Sequence, residues 1–181
     1  MEFRFKFEKS LQAAALLLHL DGERMDWIRL LKLLYISDRE MLATTGQSIT
    51  GDTGYAMKHG PVLTRIYDFM KGFGDDVTEW EKFIRSEGHA VLLIAEPGRD
   101  ELSRAEVEKL REVTERFHNT DDWEISQHTH DFPEWKSNFH GGGASPIPWE
   151  DILRAQDKDD MIEVVRGQEA AQAAFEDVFG D

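Results

Sequence analysis

The sequence contains no cysteine, and this absence removes several kinds of chemistry at once. A chain without thiols forms no disulfide, supplies no thiolate ligand to a zinc site and has no cysteine nucleophile. Proteins of the reducing cytosol tolerate such a composition well, because their stability does not depend on disulfides. We therefore expect a cytoplasmic protein.

Long hydrophobic runs are also missing. The longest, Ala13 to Leu18 and Ala90 to Ala95, are much shorter than the roughly 20 residues that a membrane-spanning helix needs. Near the N-terminus, Phe3, Phe5 and Phe7 alternate with charged residues, unlike the uninterrupted apolar core of a secretory signal. The sequence predicts no membrane partner.

Positive charge is scarce. The chain has 21 Lys+Arg against 36 Asp+Glu, which gives a formal net charge of -15. Such a surface repels nucleic-acid phosphates and anionic lipids, and it favours a cationic partner. The segment from Ser103 to Arg116 alternates basic and acidic residues, so it offers no basic face for DNA. We expect no direct nucleic-acid partner.

The first half of the chain shows helical periodicity. Apolar residues from Phe7 to Leu18 recur at helical spacing before Asp21, which predicts a first helix. Asp26 is suited to cap a second helix, apolar on most sides, that ends at Gly46. A helix apolar on so many sides should be central to the fold.

The next segments predict a loop, a third helix and a hairpin. Gln47 to His59 is rich in turn residues, and Pro61 suits the first turn of a helix that ends at Gly72. Trp80 to Arg85 and His89 to Ala95 flank a glycine-containing turn, which is typical of a β-hairpin.

Three further segments have helical features. Ser103 to Glu106 has the sequence of a capping box, so a helix should follow. Trp123 to His130 predicts another helix, stopped by Phe132-Pro133 and followed by a loose stretch, and Trp149 to Leu153 a short one. The acidic tail from Asp159 predicts a surface helix.

Together these segments predict an α+β, mainly helical fold. We expect six or seven helices around the central apolar helix, with one small β-hairpin. Residues 1–158 should form one domain, and residues 159–181 a C-terminal acidic helix packed on it or extending from it.

One set of motifs resembles a known family. It runs from Lys32-Leu33-Leu34-Tyr35-Ile36-Ser37-Asp38-Arg39-Glu40 through Ile49-Thr50-Gly51-Asp52 and Met57-Lys58-His59-Gly60-Pro61-Val62 to Gly72. Thr129-His130, Pro133, Trp135 and the segment Ile147 to Leu153 continue it. From about Leu30 to Ala155, the chain is similar to the Panacea domain of SocA-like antitoxins.

The resemblance implies an antitoxin of a two-gene toxin–antitoxin system, with no catalytic activity and no cofactor. Members of that family bind a cognate protein toxin directly or deliver it to a ClpXP-type protease. The motif residues, which the resemblance marks as structural or as partner contacts, are Asp38, Arg39, Gly51, Asp52, His59, Gly60, Pro61, Tyr67, His130 and Trp135.

Several of these residues also have a purely structural interpretation. Asp38 and Arg39, near the exposed end of the second helix, would pair within the fold or contact a partner. His59, where the free amides of the third helix should begin, would bond the preceding loop or hold an anion. In each case we favour the structural role.

The tryptophans at segment boundaries allow two interpretations as well. Trp123, Trp135 and Trp149 could anchor an interface, or all three could seal the core. We favour the core.

Two other functions compete with the antitoxin. A metal-dependent hydrolase would use the segment His118 to His140, but His128 and His130, two residues apart on a helix, point away from each other. The other alternative is a protease adaptor or a phage-borne accessory protein with no cognate toxin.

Overall fold

The computed structural model describes residues 3–179, and this part of the chain contains nine helices and six strands. The helices are α1 (Phe7–Leu20), α2 (Trp27–Thr45), α3 (Thr64–Met70), α4 (Val77–Trp80), α5 (Arg104–Arg116), α6 (Asp122–His130), α7 (Pro133–Asn138), α8 (Trp149–Arg154) and α9 (Asp159–Phe179). The strands are β1 (Arg24–Asp26), β2 (Gly54–Met57), β3 (Gly60–Leu63), β4 (Ile84–Glu87), β5 (Ala90–Leu93) and β6 (Ser145–Ile147).

Helix α2 contributes a large part of the core. Its residues from Arg29 to Asp38 are all buried, and α1 presents a similar buried run from Ser10 to Leu18. The Asp26 side chain accepts a hydrogen bond from the Ile28 amide at the start of α2. Gly46 ends this helix with a φ of 72°, a conformation that favours glycine. The predicted caps of α2 are therefore confirmed.

The strands form two antiparallel sheets of three strands each. In the first, β1 extends the hairpin of β4 and β5 in the order β1-β5-β4. In the second, the order is β3-β2-β6, so β2 is central and pairs with both neighbours. Strands β2 and β3 of this second sheet belong to the segment between α2 and α3, and β6 joins them to the C-terminal part of the chain.

The mainly helical α+β class is confirmed, but the details differ from the prediction. The described residues form nine helices instead of six or seven, and two sheets instead of one hairpin. Pro61 lies in β3 opposite Ala56, and helix α3 begins only at Thr64. An edge strand tolerates proline because its outward N–H has no ladder partner to lose. The stretch after Phe132, expected to be loose, forms α7 with Pro133 in its first turn.

The C-terminal helix α9 is mostly exposed. Only Ile162 and Val165 of this helix are buried. None of the helices in residues 3–179 combines the length and the apolar character that crossing a membrane requires.

Candidate functional site

Asp38 joins helix α2 to the loop of residues 46–53, here called the Asp38 loop. Its buried carboxylate accepts hydrogen bonds from Ser48 Oγ at 2.8 Å, Ile49 N at 2.5 Å and Thr50 Oγ1 at 2.5 Å. Burial raises the pKa of Asp38, and these hydrogen bonds oppose the rise. The expected exposed position is thus wrong. The carboxylate bonds within the fold.

The N-terminal segment holds the Asp38 loop from its other side. The Lys6 amide donates to Thr50 O and the Lys6 ammonium to Ser48 O, both at 2.8 Å. Gly51 has a φ of +64°, and a Cβ added there would lie 1.9 Å from the Arg4 carbonyl oxygen. Only glycine allows the two backbones to approach so closely.

Asp52 caps helix α3. Its carboxylate accepts hydrogen bonds from the amides of Arg65 at 2.9 Å and Ile66 at 3.2 Å. Burial raises the pKa of Asp52 to about 6, although these backbone donors favour the charged form. The anion-binding helix start that the sequence placed at His59 therefore lies further along, and a carboxylate of the chain itself occupies it.

Helices α6 and α7 hold the turn between β2 and β3. Ser126 Oγ donates to the His59 carbonyl and Trp135 Nε1 to the Met57 carbonyl, both at 2.9 Å. The His59 side chain lies at the surface, and the carbonyl of this residue bonds helix α6 instead of the preceding loop.

His130 of α6 makes a further contact with the β2–β3 turn. Its ring hydrogen-bonds the Lys58 backbone and stacks on Trp135, with ring centroids 4.4 Å apart. Burial and the neighbouring Lys32 lower the pKa of His130. The buried Nε2 atom has no hydrogen-bond partner among the described residues.

Gly60 and Lys32 lie beneath the same turn. Gly60 has a φ of +96°, and an added Cβ would lie 2.5 Å from Thr129 Oγ1 and 2.9 Å from Lys32 Nζ. The buried Lys32 amino group donates to the Pro61 carbonyl at 2.7 Å, and burial lowers the pKa of Lys32 to about 7. Glycine is needed here because β3 passes directly over these side chains.

Arg39 forms a buried ion pair with Glu134. Arg39 Nε lies 2.6 Å from Glu134 Oε1, the Glu134 side chain is fully buried, and Tyr35 Oη donates to the same oxygen at 3.3 Å. The Arg39 guanidinium also lies 4.2 Å from the centroid of the Phe132 ring. This pair joins α2 to α7.

Tyr67 lies apart from these contacts. Its ring stacks on Trp27, with centroids 5.6 Å apart, and the Lys71 ammonium lies 4.8 Å from its centroid. The other motif residues meet along the Asp38 loop, the β2–β3 turn and α2.

A cavity of about 340 Å³ opens beside the Asp38 loop. Tyr35, Ile147 and Trp149 contribute to its apolar lining. Its four charged residues are each bonded within the fold: Asp38 to the loop, Asp52 to α3, Arg39 to Glu134, and Glu150 to Arg166 at 3.4 Å. The cavity thus has an apolar lining, and its charged side chains are already bonded to other groups of the chain.

The tryptophans do not all seal the core. Trp149 is buried and Trp135 half-buried, but the Trp123 side chain is 62% exposed, so the core prediction is wrong for Trp123.

The side chains of the histidine-rich segment do not meet at one site. His128 packs against Phe117 and Phe132, whereas His130 stacks on Trp135. Within residues 3–179, no group of three or more His, Asp or Glu side chains is placed to hold a metal ion.

Two residues of this site are not among those that the sequence resemblance marks. Glu134 has no distinguishing pattern of its own beyond its position between the motif residues Pro133 and Trp135. Lys32 does carry a signal, because a lysine inside an apolar helical run indicates a buried amine.

The fold and these junctions define a mainly helical α+β protein in which Asp38 fixes one loop to helix α2, and helices α6 and α7 hold the β2–β3 turn. The chain belongs to the SocA-like antitoxin family: the family model described as antitoxin SocA-like, Panacea domain, matches residues 30–136, more than half of the 181 residues. The sequence resemblance is confirmed over that range, and the segment Ile147 to Leu153 lies outside it. Comparison with curated proteins gives no match, and comparison with solved structures gives none.

Proposed function

We propose that this chain binds and neutralises a cognate protein toxin, either by covering the toxin's functional surface or by delivering it to a ClpXP-type protease. The family match carries the proposal, because residues 30–136 include the Asp38 loop, the β2–β3 turn and the Arg39–Glu134 pair. The proposed activity is binding, in a cytoplasmic protein.

The electrostatics of the chain support a binding role. The net charge of -15 attracts a basic protein and raises the rate of encounter with it. The charged residues of the cavity are engaged in internal hydrogen bonds, and a general acid or base would need to be available to a substrate. These observations favour a binding protein over a hydrolase.

Expression together with the neighbouring gene tests this function. If the neighbour encodes the toxin, its expression alone should arrest growth, and co-expression of this chain should restore growth. Colony counts measure the result, with an empty vector and the neighbour alone as controls.

A neighbour that is harmless by itself would contradict the toxin assignment and favour an accessory protein with the same domain. A toxic neighbour that this chain fails to neutralise would contradict the antitoxin role directly.

A further inference from the structure

Helix α9 carries most of the large apolar side chains that residues 3–179 leave exposed. Seven such side chains are more than a third exposed, and four of them are on α9: Val164, Phe175, Val178 and Phe179. Val178 and Phe179 are 70% and 71% exposed. A cluster of exposed apolar groups on one element marks an interaction surface more often than isolated ones do.

Two parts of α9 contact the rest of the chain on the same side of the helix. Ile162 and Val165 are buried against the domain, and further along the helix Glu176 pairs with Arg4 at 3.1 Å. The opposite side therefore faces away from the domain and is available for a partner.

The outward side of α9 forms a continuous apolar stripe. Val164, Ala171 and Val178 are seven residues apart, so each step turns the position by only about 20° around the helix. Gly167, Ala174 and Phe175 fill the spaces between them. We call these six residues the α9 stripe. A Cβ added at Gly167 would meet nothing within 4 Å, so a second helix has room to approach closely.

The charges of α9 indicate the kind of partner. The helix has six acidic residues and a single basic one, Arg166, which already pairs with Glu163 at 2.7 Å and Glu150 at 3.4 Å. Two copies of this helix would bring acidic residues together, which is unfavourable. A basic amphipathic helix would meet apolar residues with its apolar face and carboxylates with its flanks.

We infer that the α9 stripe is the surface on which a basic amphipathic helix of the toxin docks. This inference rests on the proposed function and specifies where the toxin binds. The Asp38 loop and the β2–β3 turn then stabilise the domain that presents α9.

The test uses the full chain and the purified product of the toxic neighbouring gene. Phe175→Ser combined with Val178→Ser removes two large side chains of the stripe and should weaken binding by at least about tenfold. The matched control is Phe73→Ser, because Phe73 is 62% exposed and Phe175 63%, and the control should bind as the unaltered chain does. Calorimetric titration measures affinity, and circular dichroism checks that helix content is unchanged.

A second variant covers the case in which the serines reduce helix content. Ala171→Glu keeps a good helix-forming residue and places a charge in the stripe, and it should also weaken binding by about tenfold or more. Unchanged affinity in a variant that retains its helix content would overturn the docking surface while leaving the antitoxin function intact. An unaltered chain that neither rescues growth nor binds would refute the function, and the docking surface with it.

Sedimentation of the unaltered chain alone provides one more outcome. We expect a monomer. A dimer that the stripe substitutions dissociate would assign the stripe to a second copy of the chain and overturn the inference.

Discussion

Replacing Asp38 with alanine should lower the free energy of unfolding by about 3–5 kcal/mol. The substitution leaves the Ile49 amide and the hydroxyl groups of Ser48 and Thr50 without their acceptor in a buried site. Each unpaired buried donor costs free energy, since water cannot reach it to replace the lost bond. The Asp38 loop should detach from α2 before the rest of the core unfolds.

Urea unfolding followed by tryptophan fluorescence measures this effect. Asp68→Ala is the matched control, because Asp68 is an exposed carboxylate, and its loss should cost less than about 0.5 kcal/mol. If the alanine variant does not accumulate as folded protein, Asp38→Asn is the variant to measure. Asparagine keeps one oxygen acceptor, so Asp38→Asn should lower the free energy of unfolding by less than Asp38→Ala does. Equal unfolding curves for the unaltered chain and Asp38→Ala would show that Asp38 does not hold the loop.

Lys32 should make stability increase with pH. Burial lowers the pKa of Lys32 to about 7 from its ordinary value of 10.5. Between these two values the folded chain holds the neutral amine and the unfolded chain holds the proton. Unfolding therefore takes up a proton, and rising pH disfavours it by up to roughly 1.4 kcal/mol per pH unit. Below the folded value both states are protonated, and this dependence disappears.

Lys32→Met isolates this contribution. The variant lacks the buried amine, so its free energy of unfolding should exceed that of the unaltered chain near pH 7. As pH rises toward 10.5, the difference between the two free energies should decrease and then reach zero or change sign. The control is Lys158→Met, which removes an exposed ammonium. It should change the free energy of unfolding only slightly, and by the same amount at every pH. Parallel stability curves for Lys32→Met and the unaltered chain would mean that the buried amine is charged throughout this range.

The sequence predicted local features of the fold well. The Asp26 cap of α2, the Gly46 end of the same helix and the Ser103–Glu106 capping box all occur as expected. Each depends on residues two to four positions apart, so the pattern is present within one short window. The mainly helical class follows from the same windows.

Contacts between distant segments could not be predicted in the same way. Arg39 and Glu134 are 95 positions apart, and neither residue type nor spacing relates them. Pro61 suited a helix start by local preference, but pairing with β2 placed it in a strand. Tertiary contacts overrode the local preference, because all four residues of β3 are buried and pair with β2.

The candidate site shows the same division. The motif identified Asp38, Asp52, Gly60, His130 and Trp135, and the resemblance could not say how they meet. The structure joins Asp38 to the loop, Asp52 to α3, and His130 with Trp135 to the β2–β3 turn. The signature therefore contains residues that bond distant segments to one another, and α9 supplies the exposed apolar surface that we propose a partner contacts.

Calorimetric titration of this purified chain with the purified product of its toxic neighbour tests the central claim most directly. The account predicts a saturable complex of fixed stoichiometry whose affinity falls as salt is added, because salt screens the attraction between opposite charges. Rescue of growth without any detectable complex between the two purified proteins would contradict it, since neutralisation would then not depend on binding by this chain.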